Sequence, residues 1–312
     1  MLAIFLETLP FFCLIAVGFG AGRTGFFTPE ATAYLTKFVF YFALSAMIFS
    51  FSADLSLAEL WSWPFAAAYL SATTAVYLLA TLIGMARGRP VAEVAVEAQC
   101  AVIGNVGFLG LPMLVLLLGS DAVGPIMLVL AIDLIVFSSL IVILITGSRD
   151  HGVSPRVLRT VGLGLLSNPM IVSIVAGLAW SALELPFPAP MESFLSILGA
   201  AATPGALFAI GASLADKSAE RVSVALYLSS FKLIVHPAAV ALAALVIFDV
   251  APYPAMVMVA AAALPVAGNV YILAQHYGVA PARVSTAILF STTASVATVP
   301  LVIGWLQSLS PS

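Results

Sequence analysis

Apolar residues form ten long runs along this chain, and the polar and charged residues are concentrated in the short segments between them. A run of about 20 apolar residues is long enough for an α-helix to cross the hydrocarbon core of a bilayer. The pattern therefore predicts an all-α membrane protein with ten transmembrane helices, numbered here as spans 1 to 10. The spans lie at residues 4–22, 34–52, 61–86, 94–118, 123–147, 160–182, 192–214, 222–248, 254–276 and 284–306.

The amino-acid composition excludes a soluble globular protein. Hydrophobic residues make up 62% of the 312 residues and charged residues 8%, whereas about a quarter of the residues of a soluble domain are charged. The net charge of −3 offers no basic surface for a nucleic acid. The two cysteines and three histidines are far apart in the sequence and match no metal-ligand spacing. We therefore expect membrane lipid as a partner and neither a metal nor an organic cofactor.

The basic residues predict the orientation in the membrane. All eleven map to one side of the ten spans, and the connections on the other side hold acidic residues without Lys or Arg. Basic connections stay in the cytoplasm, so both termini are expected outside, in the periplasm of a cell with this protein in its inner (plasma) membrane. Span 1 carries Glu7 and no basic residue precedes it, which predicts a retained helix and not a cleaved signal peptide. The basic residues are Arg23, Lys37, Arg87, Arg89, Arg149, Arg156, Arg159, Lys217, Arg221, Lys232 and Arg283.

Two halves of the chain share a motif. Residues 101–106 of span 4 read Ala-Val-Ile-Gly-Asn-Val, and residues 265–270 of span 9 read Pro-Val-Ala-Gly-Asn-Val. Each half has five spans, an odd number, so the second copy begins on the opposite face and the repeat is inverted. This predicts a first five-helix repeat at 1–148, a cytoplasmic connection at 149–159 and a second repeat at 160–312. Chance similarity among alanine-rich helices is the alternative. Inverted repeats are typical of secondary transporters.

Both motifs contain residues that interrupt a helix. Glycine costs about 1 kcal/mol relative to alanine within a helix, and proline removes a backbone donor. Lipid cannot satisfy the opened backbone groups, so such breaks lie where protein or a water-filled cavity supplies partners. We expect the two breaks to lie close together. The residues concerned are Gly104, Gly107, Gly110 and Pro112 in span 4, and Pro265 and Gly268 in span 9.

The breaks predict a binding site for an anion. A half-helix begins with free N–H groups and the positive end of a dipole, which attract anions. Asn105 and Asn269 add one side-chain amide each. We assign substrate binding to these two asparagines with the neighbouring Gly104 and Gly268. The alternative is that both asparagines only cap the broken helices.

Charged residues within the spans are candidates for coupling to an ion gradient. Asp133 lies well inside span 5, where a carboxyl group is costly and usually functional. It could carry a proton, ligate sodium, or form a structural hydrogen bond with Ser138 or an asparagine. Lys37 in span 2 could balance Asp133 or the substrate, or it could extend to the lipid headgroups. Lys232 in span 8 is expected to reach the headgroups in that way, and a contact with the ligand is the alternative.

Four further polar residues are candidates in spans 4 and 9. Glu97 could take part in coupling, although ion pairing of Glu93 and Glu97 with the arginines that follow span 3 is the alternative. Gln99, Tyr271 and Gln275 lie near the breaks and are candidates for lining a cavity.

The stretch Gly-Asn-Val-Gly-Phe-Leu-Gly-Leu-Pro at 104–112, its counterpart at 265–270 and Thr-Lys-Phe-Val at 36–39 resemble the auxin efflux carrier family. That family contains plant PIN carriers and bacterial carriers of malonate and related carboxylates. The resemblance covers the whole chain. One departure is Gly104, where members of the family often have proline. Another is the short connection at 149–159 in place of a long central loop, so auxin itself is not implied.

The resemblance implies a fold like that of PIN carriers and bile-acid–sodium symporters, with broken, crossing helices in spans 4 and 9. It implies a scaffold domain of spans 1, 2, 6 and 7 and a transport domain of spans 3–5 and 8–10. It also implies an elevator-like mechanism, a homodimer formed through the scaffold, and a substrate carboxylate at Asn105 and Asn269.

These observations together predict a secondary transporter of a small organic anion, with coupling to H⁺ or Na⁺ left open. An enzyme is disfavoured because the chain has neither a phosphate-binding loop nor a His-Glu-x-x-His motif. One alternative is a sodium-coupled symporter of an amphipathic, bile-acid-type anion. The other is a membrane sensor that binds its ligand without moving it.

Overall fold

A computed structural model describes residues 2–55, 62–149, 155–215 and 222–309. Lys217, Arg221 and residues 150–154 of the connection, which the sequence arguments use, lie outside these ranges. The described residues form helices and short turns, with one isolated β-bridge between Gly104 and Val266.

Thirteen helices follow one another in the described part of the chain. They are α1 Leu2–Arg23, α2 Pro29–Ala53, α3 Trp63–Ala86, α4 Val91–Val102, α5 Val106–Leu118, α6 Ser120–Arg149, α7 Pro155–Leu166, α8 Pro169–Ala182, α9 Ala189–Ala215, α10 Val222–Ile247, α11 Pro252–Ala262, α12 Gly268–Tyr277 and α13 Pro281–Leu309.

Seven of these helices are long and apolar enough to cross a membrane, and the bent pair of α7 and α8 would make an eighth. The seven are α1, α2, α3, α6, α9, α10 and α13. An all-helical membrane protein is therefore confirmed. Spans 4 and 9 each correspond to two short helices on either side of a break, so the count of ten spans stays a prediction.

Span 6 is not the continuous helix that the apolar run at 160–182 predicted. It is divided into α7 and α8, which meet at a bend of 62°. The reason is local: Pro169 cannot donate a backbone hydrogen bond and disfavours helical geometry at the residue before it. Asn168 accordingly has an extended ψ of 113°, and its side-chain oxygen accepts a hydrogen bond from the amide nitrogen of Met170 at 3.0 Å. The prediction was wrong at this point because it took account of apolar length alone.

Close backbone contacts join α1 to α9 and α8 to α2. A Cβ atom on Gly211 of α9 would clash with the carbonyl oxygen of Ile15 in α1, and one on Gly18 of α1 would clash with that of Phe208 in α9. Likewise, a Cβ on Gly177 of α8 would lie 2.7 Å from the carbonyl oxygen of Phe49 in α2. Glycine at these positions allows the helix backbones to touch, which is how helices associate tightly in lipid.

Candidate functional site

The Gly-Asn-Val motif of span 4 lies in a break between two helices. Helix α4 ends at Val102, Ile103 is extended with a ψ of 114°, and Asn105 has a ψ of 56°. The chain then makes a π-helical turn at Val106–Gly110 before α5 continues as an α-helix. π-helical turns within helices are frequent at functional sites.

The corresponding motif of span 9 also lies in a break, and the two breaks are in contact. Helix α11 ends at Ala262, and Ala267 precedes α12 in an extended conformation. The amide nitrogen of Asn105 donates to the carbonyl oxygen of Pro265 at 2.8 Å, and that of Ala267 donates to the carbonyl oxygen of Ile103 at 3.1 Å. Each break thus satisfies backbone groups that the other leaves open, which lipid could not do.

A side chain from span 10 completes this arrangement. The amide nitrogen of Val266 donates to the hydroxyl oxygen of Ser291 in α13 at 3.1 Å. On the other side of the bridge, the carbonyl oxygen of Asn105 accepts from the amide nitrogens of Leu109 and Gly110, at 3.2 and 2.9 Å. The backbone of both breaks is therefore largely hydrogen-bonded within the protein.

A small cavity of about 20 Å³ lies beside the two breaks. Three polar side chains line it: Asn105 from span 4, Asn269 from span 9 and Asp133 from span 5. Gly104 and Gly107 form part of the wall, and Met170 at the start of α8 closes one side. A space of this size holds about one water molecule, so an organic anion requires a conformation in which the cavity is larger.

Neither asparagine caps its helix in this structure. Asn105 stands directly before the turn of Val106–Gly110, but its side chain makes no capping hydrogen bond. Helix α12 likewise begins without a side-chain cap, and the Oδ1 atom of Asn269 is buried without a hydrogen-bond partner. Asn168, by contrast, does cap α8. The structure thus shows no capping hydrogen bond from Asn105 or Asn269, and both residues line the cavity.

Asp133 is buried at the cavity wall and is held by a residue that the sequence did not indicate. Its Oδ1 atom accepts a hydrogen bond from the hydroxyl group of Tyr69 in α3 at 2.9 Å. Its Oδ2 atom is buried and has no partner. Ser138 bonds to the backbone carbonyl oxygen of Asp133 and not to its carboxyl group. The structure therefore brings Asp133 to the asparagines, with one carboxyl oxygen free to take a proton or a ligand.

Lys232 does not reach the lipid headgroups, so that expectation was wrong. The side chain is fully buried, in a π-helical turn of α10. Its ammonium donates to the carbonyl oxygen of Ala262, and it lies 3.2 Å from the Nδ1 atom of His236. The Nε2 atom of His236 is 3.1 Å from the hydroxyl oxygen of Thr73 in α3.

The position of Lys232 on α10 explains its burial. Buried positions in α10 recur at helical spacing and include Ala225, Leu228, Ser229, Lys232, His236 and Val240. Lys232 and His236 are four residues apart and fall on that face, which packs against the protein.

Glu97 takes part in a cluster of ion pairs away from the cavity. It is buried and pairs with Arg283 of α13 at 2.6 Å and with Arg87 at 3.0 Å. Glu93 pairs with Arg283 at 3.0 Å and with Arg89 at 3.9 Å. The ion pairing expected for Glu93 and Glu97 is confirmed, with Arg283 as a partner from the other half of the chain.

The remaining candidates do not line the cavity. Lys37 is exposed, with its Nζ atom 5.7 Å from the centre of the Tyr34 ring. Gln275 is exposed and Tyr271 is half-buried. Gln99 is fully buried in α4, and its side-chain amide lacks a hydrogen-bond partner in the described part of the protein.

Some of the helix-breaking residues line the cavity and others do not. Gly104 and Gly107 line the cavity, whereas Gly110, Pro112, Pro265 and Gly268 shape the backbone around it. Within the described ranges, no group of three His, Cys, Asp or Glu side chains comes together as metal ligands would.

Comparison with known proteins finds similarity over almost the whole chain. The sequence model of a family described as "Membrane transport protein" matches residues 3–303. A protein of Rhizobium meliloti (strain 1021) named "Putative malonate transporter" is 32% identical over 297 residues, which cover 93% of this chain and 92% of that protein.

Proposed function

The chain belongs to the membrane transport protein family, the auxin efflux carrier family that its motifs resemble, and we propose that it carries a small organic anion of the malonate type across the membrane. Membership in this family makes the protein a transporter and not an enzyme. The proposal concerns the substrate, its site and the mechanism.

The observation that carries the proposal is the convergence of two asparagines, the buried Asn105 and the half-buried Asn269, on one cavity between two broken helices. Each amide can donate two hydrogen bonds, and apart from Asp133 the other cavity walls are mostly apolar. The half-helix α12 begins at Gly268, beside this cavity, and its positive end favours an anion. We assign substrate binding to Asn105 and Asn269, with Gly104 and Gly268 providing close approach to the backbone.

We further propose an elevator-like movement. The backbones of α1 and α9, and of α8 and α2, are in direct contact at glycines, as expected of a rigid scaffold. Across the boundary with the transport domain, two contacts are made by the ends of side chains. Met170 of α8 rests on Gly107, and the rings of Phe40 and Phe108 stack with their centres 6.1 Å apart. Such contacts can be exchanged at low cost during sliding, and the small cavity fits a state in which substrate is absent.

The helix pairs also support the proposed inverted repeat. Spans 1 and 7 pack together, and so do spans 6 and 2, which is the same pair after the two halves are exchanged. We propose ten spans in two inverted five-helix repeats, with spans 1, 2, 6 and 7 as scaffold and spans 3–5 and 8–10 as transport domain. A homodimer through the scaffold, and periplasmic termini in an inner-membrane protein, belong to the same proposal.

We assign to Asp133 the coupling of transport to an ion gradient, since it is the ionisable side chain at the cavity wall in the described part of the chain. Its unpartnered Oδ2 atom can take a proton. Lys37, which is exposed, and Glu97, which is ion-paired, are weaker candidates for this role.

The test is uptake of labelled malonate into liposomes that contain purified protein and are preloaded with unlabelled malonate. Saturable exchange that other small dicarboxylates inhibit is expected. Asp133→Asn is expected to retain exchange, because exchange needs no net proton movement, and to lose accumulation driven by a pH gradient. Absence of exchange by folded protein, with malonate and with each competitor tested as substrate, would overturn the proposal and favour a non-transporting sensor.

A further inference from the structure

The described interior of the transport domain contains one fully buried ammonium group, that of Lys232. A charged side chain in the centre of a membrane protein is costly and faces the protein interior or a cavity. The two hydrogen-bond acceptors of this ammonium are the carbonyl oxygen of Ala262 and a nitrogen of His236. Neither carries a negative charge when the imidazole is neutral, so these contacts orient the ammonium without cancelling its charge.

The ammonium lies directly behind the break of span 4. A Cβ atom placed on Gly104 would be 3.2 Å from the Nζ atom and 3.3 Å from the Cε atom of Lys232. Gly104 also lines the cavity that holds the two asparagines. The positive charge is therefore separated from the cavity by the backbone of a single glycine. At such a distance in a medium of low dielectric constant, its field acts strongly on an anion in the cavity.

The carboxyl group of Asp133 lines the same cavity as Gly104. This carboxyl group and the ammonium of Lys232 interact electrostatically, although they belong to spans 5 and 8. The other titratable groups packed around the pair are Tyr69, which donates to Asp133, and His236, which contacts Lys232. When Asp133 is ionised, the pair has no net charge, and the carboxylate opposes an incoming anion.

We propose that Lys232 is the fixed counter-charge of the anion site, and that one proton binds Asp133 together with each substrate anion. This inference rests on the proposed function and deepens it. A proton from water adds to the free Oδ2 atom of Asp133, which leaves the site with the single positive charge of Lys232. The carboxylate then binds at the asparagines against that charge. When the proton leaves, Asp133 neutralises Lys232 and the anion is released, so substrate and proton travel in the same direction.

The experiment measures malonate binding by calorimetry to wild type, Asp133→Asn and the double variant Asp133→Asn/Lys232→Met in lipid nanodiscs. The pH runs from about 7 to 9, where both malonate carboxyls are ionised. Buffers with different ionisation enthalpies report the protons taken up. Wild type is expected to take up about one proton per malonate and to bind more weakly as the pH rises, whereas Asp133→Asn takes up none and binds independently of pH.

The double variant isolates the ammonium, because it differs from Asp133→Asn only at Lys232 and leaves no unpaired buried charge. Its affinity is expected to be about tenfold or more lower than that of Asp133→Asn, since it loses a nearby unit charge. Equal affinities in these two variants would overturn the role of Lys232. Malonate binding to wild type without proton uptake would overturn the proposal that a proton binds with the substrate. This measurement requires no variant. Absence of saturable binding to wild type would instead reject malonate as substrate, and the inference with it.

Discussion

The amide nitrogen of Asn105 donates a hydrogen bond to the carbonyl oxygen of Pro265 at 2.8 Å, which joins the break of span 4 to that of span 9. The reciprocal bond runs from Ala267 to Ile103. These residues lie in different halves of the chain, and each provides backbone partners that lipid cannot provide. Neither break is therefore stable in the membrane without the other, and the candidate site forms only when both halves are assembled.

Replacement of Asn105 or Asn269 by alanine is expected to weaken malonate binding by about tenfold each, because each variant loses hydrogen bonds to a charged ligand. Thermal unfolding should change little, because neither side chain caps its helix. Binding and unfolding of the purified variants would be measured side by side.

Asn168→Ala is the matched control for these two variants. It removes a side chain that does cap a helix, so it should lower stability by about 1 kcal/mol and leave affinity unchanged. Full malonate affinity in both Asn105→Ala and Asn269→Ala would show that the two asparagine side chains do not bind the substrate.

Gly107→Ala is expected to slow malonate exchange without unfolding the protein. The new methyl group would collide with the Cε atom of Met170, the mobile end of a flexible side chain, at the wall of the cavity. Met170→Ala in the same protein should restore exchange, because it frees the space that the methyl group needs. Exchange rates in liposomes would show whether the double variant recovers; failure to recover would mean that Gly107 is needed for backbone conformation instead.

Gly211→Ala is expected to destabilise the proposed scaffold strongly. A Cβ atom there meets the backbone carbonyl of Ile15, which cannot move without separating α1 from α9. Gly20→Ala is the matched control, since a Cβ at Gly20 meets no atom within 4 Å. We expect a lower melting temperature and a poor yield of folded protein for the first variant only. Equal stability of the two variants would contradict the close packing of α1 and α9.

Arg283→Gln is expected to lower the free energy of unfolding by about 3 kcal/mol, the lower end of the range for breaking a buried ion pair. Among the residues that the structure describes, the buried carboxylate of Glu97 would keep Arg87 as its ion-pair partner. Arg89→Gln should cost less than about 1 kcal/mol, because its pair with Glu93 is 3.9 Å long and partly exposed. Denaturant unfolding would measure both. Malonate affinity should stay unchanged, and a large loss of affinity in Arg283→Gln would instead connect the cluster with the site.

Local features of the sequence determined much of this protein. Runs of apolar residues determined that it is a helical membrane protein, because the bilayer requires about 20 apolar residues for each crossing. The breaks in two spans were determined by Gly104, Gly107 and Pro265, because glycine and proline destabilise a helix at the position where they occur. The paired Gly-Asn-Val motifs indicated the two asparagines that line the cavity and the family to which the chain belongs.

The tertiary structure decided which polar groups are buried and what they contact. The tyrosine that holds Asp133 is 64 residues away, and the arginine that pairs most closely with Glu97 is 186 residues away. Lys232 has the same apolar flanks as a lysine that extends to the headgroups, and only the packing of α10 against α11 and the break at Gly104 encloses it. Helix propensity depends on neighbours in the chain, whereas burial and charge pairing depend on which helices meet. The sequence therefore determined the elements and the breaks, and the packing of the helices decided how their charges are paired.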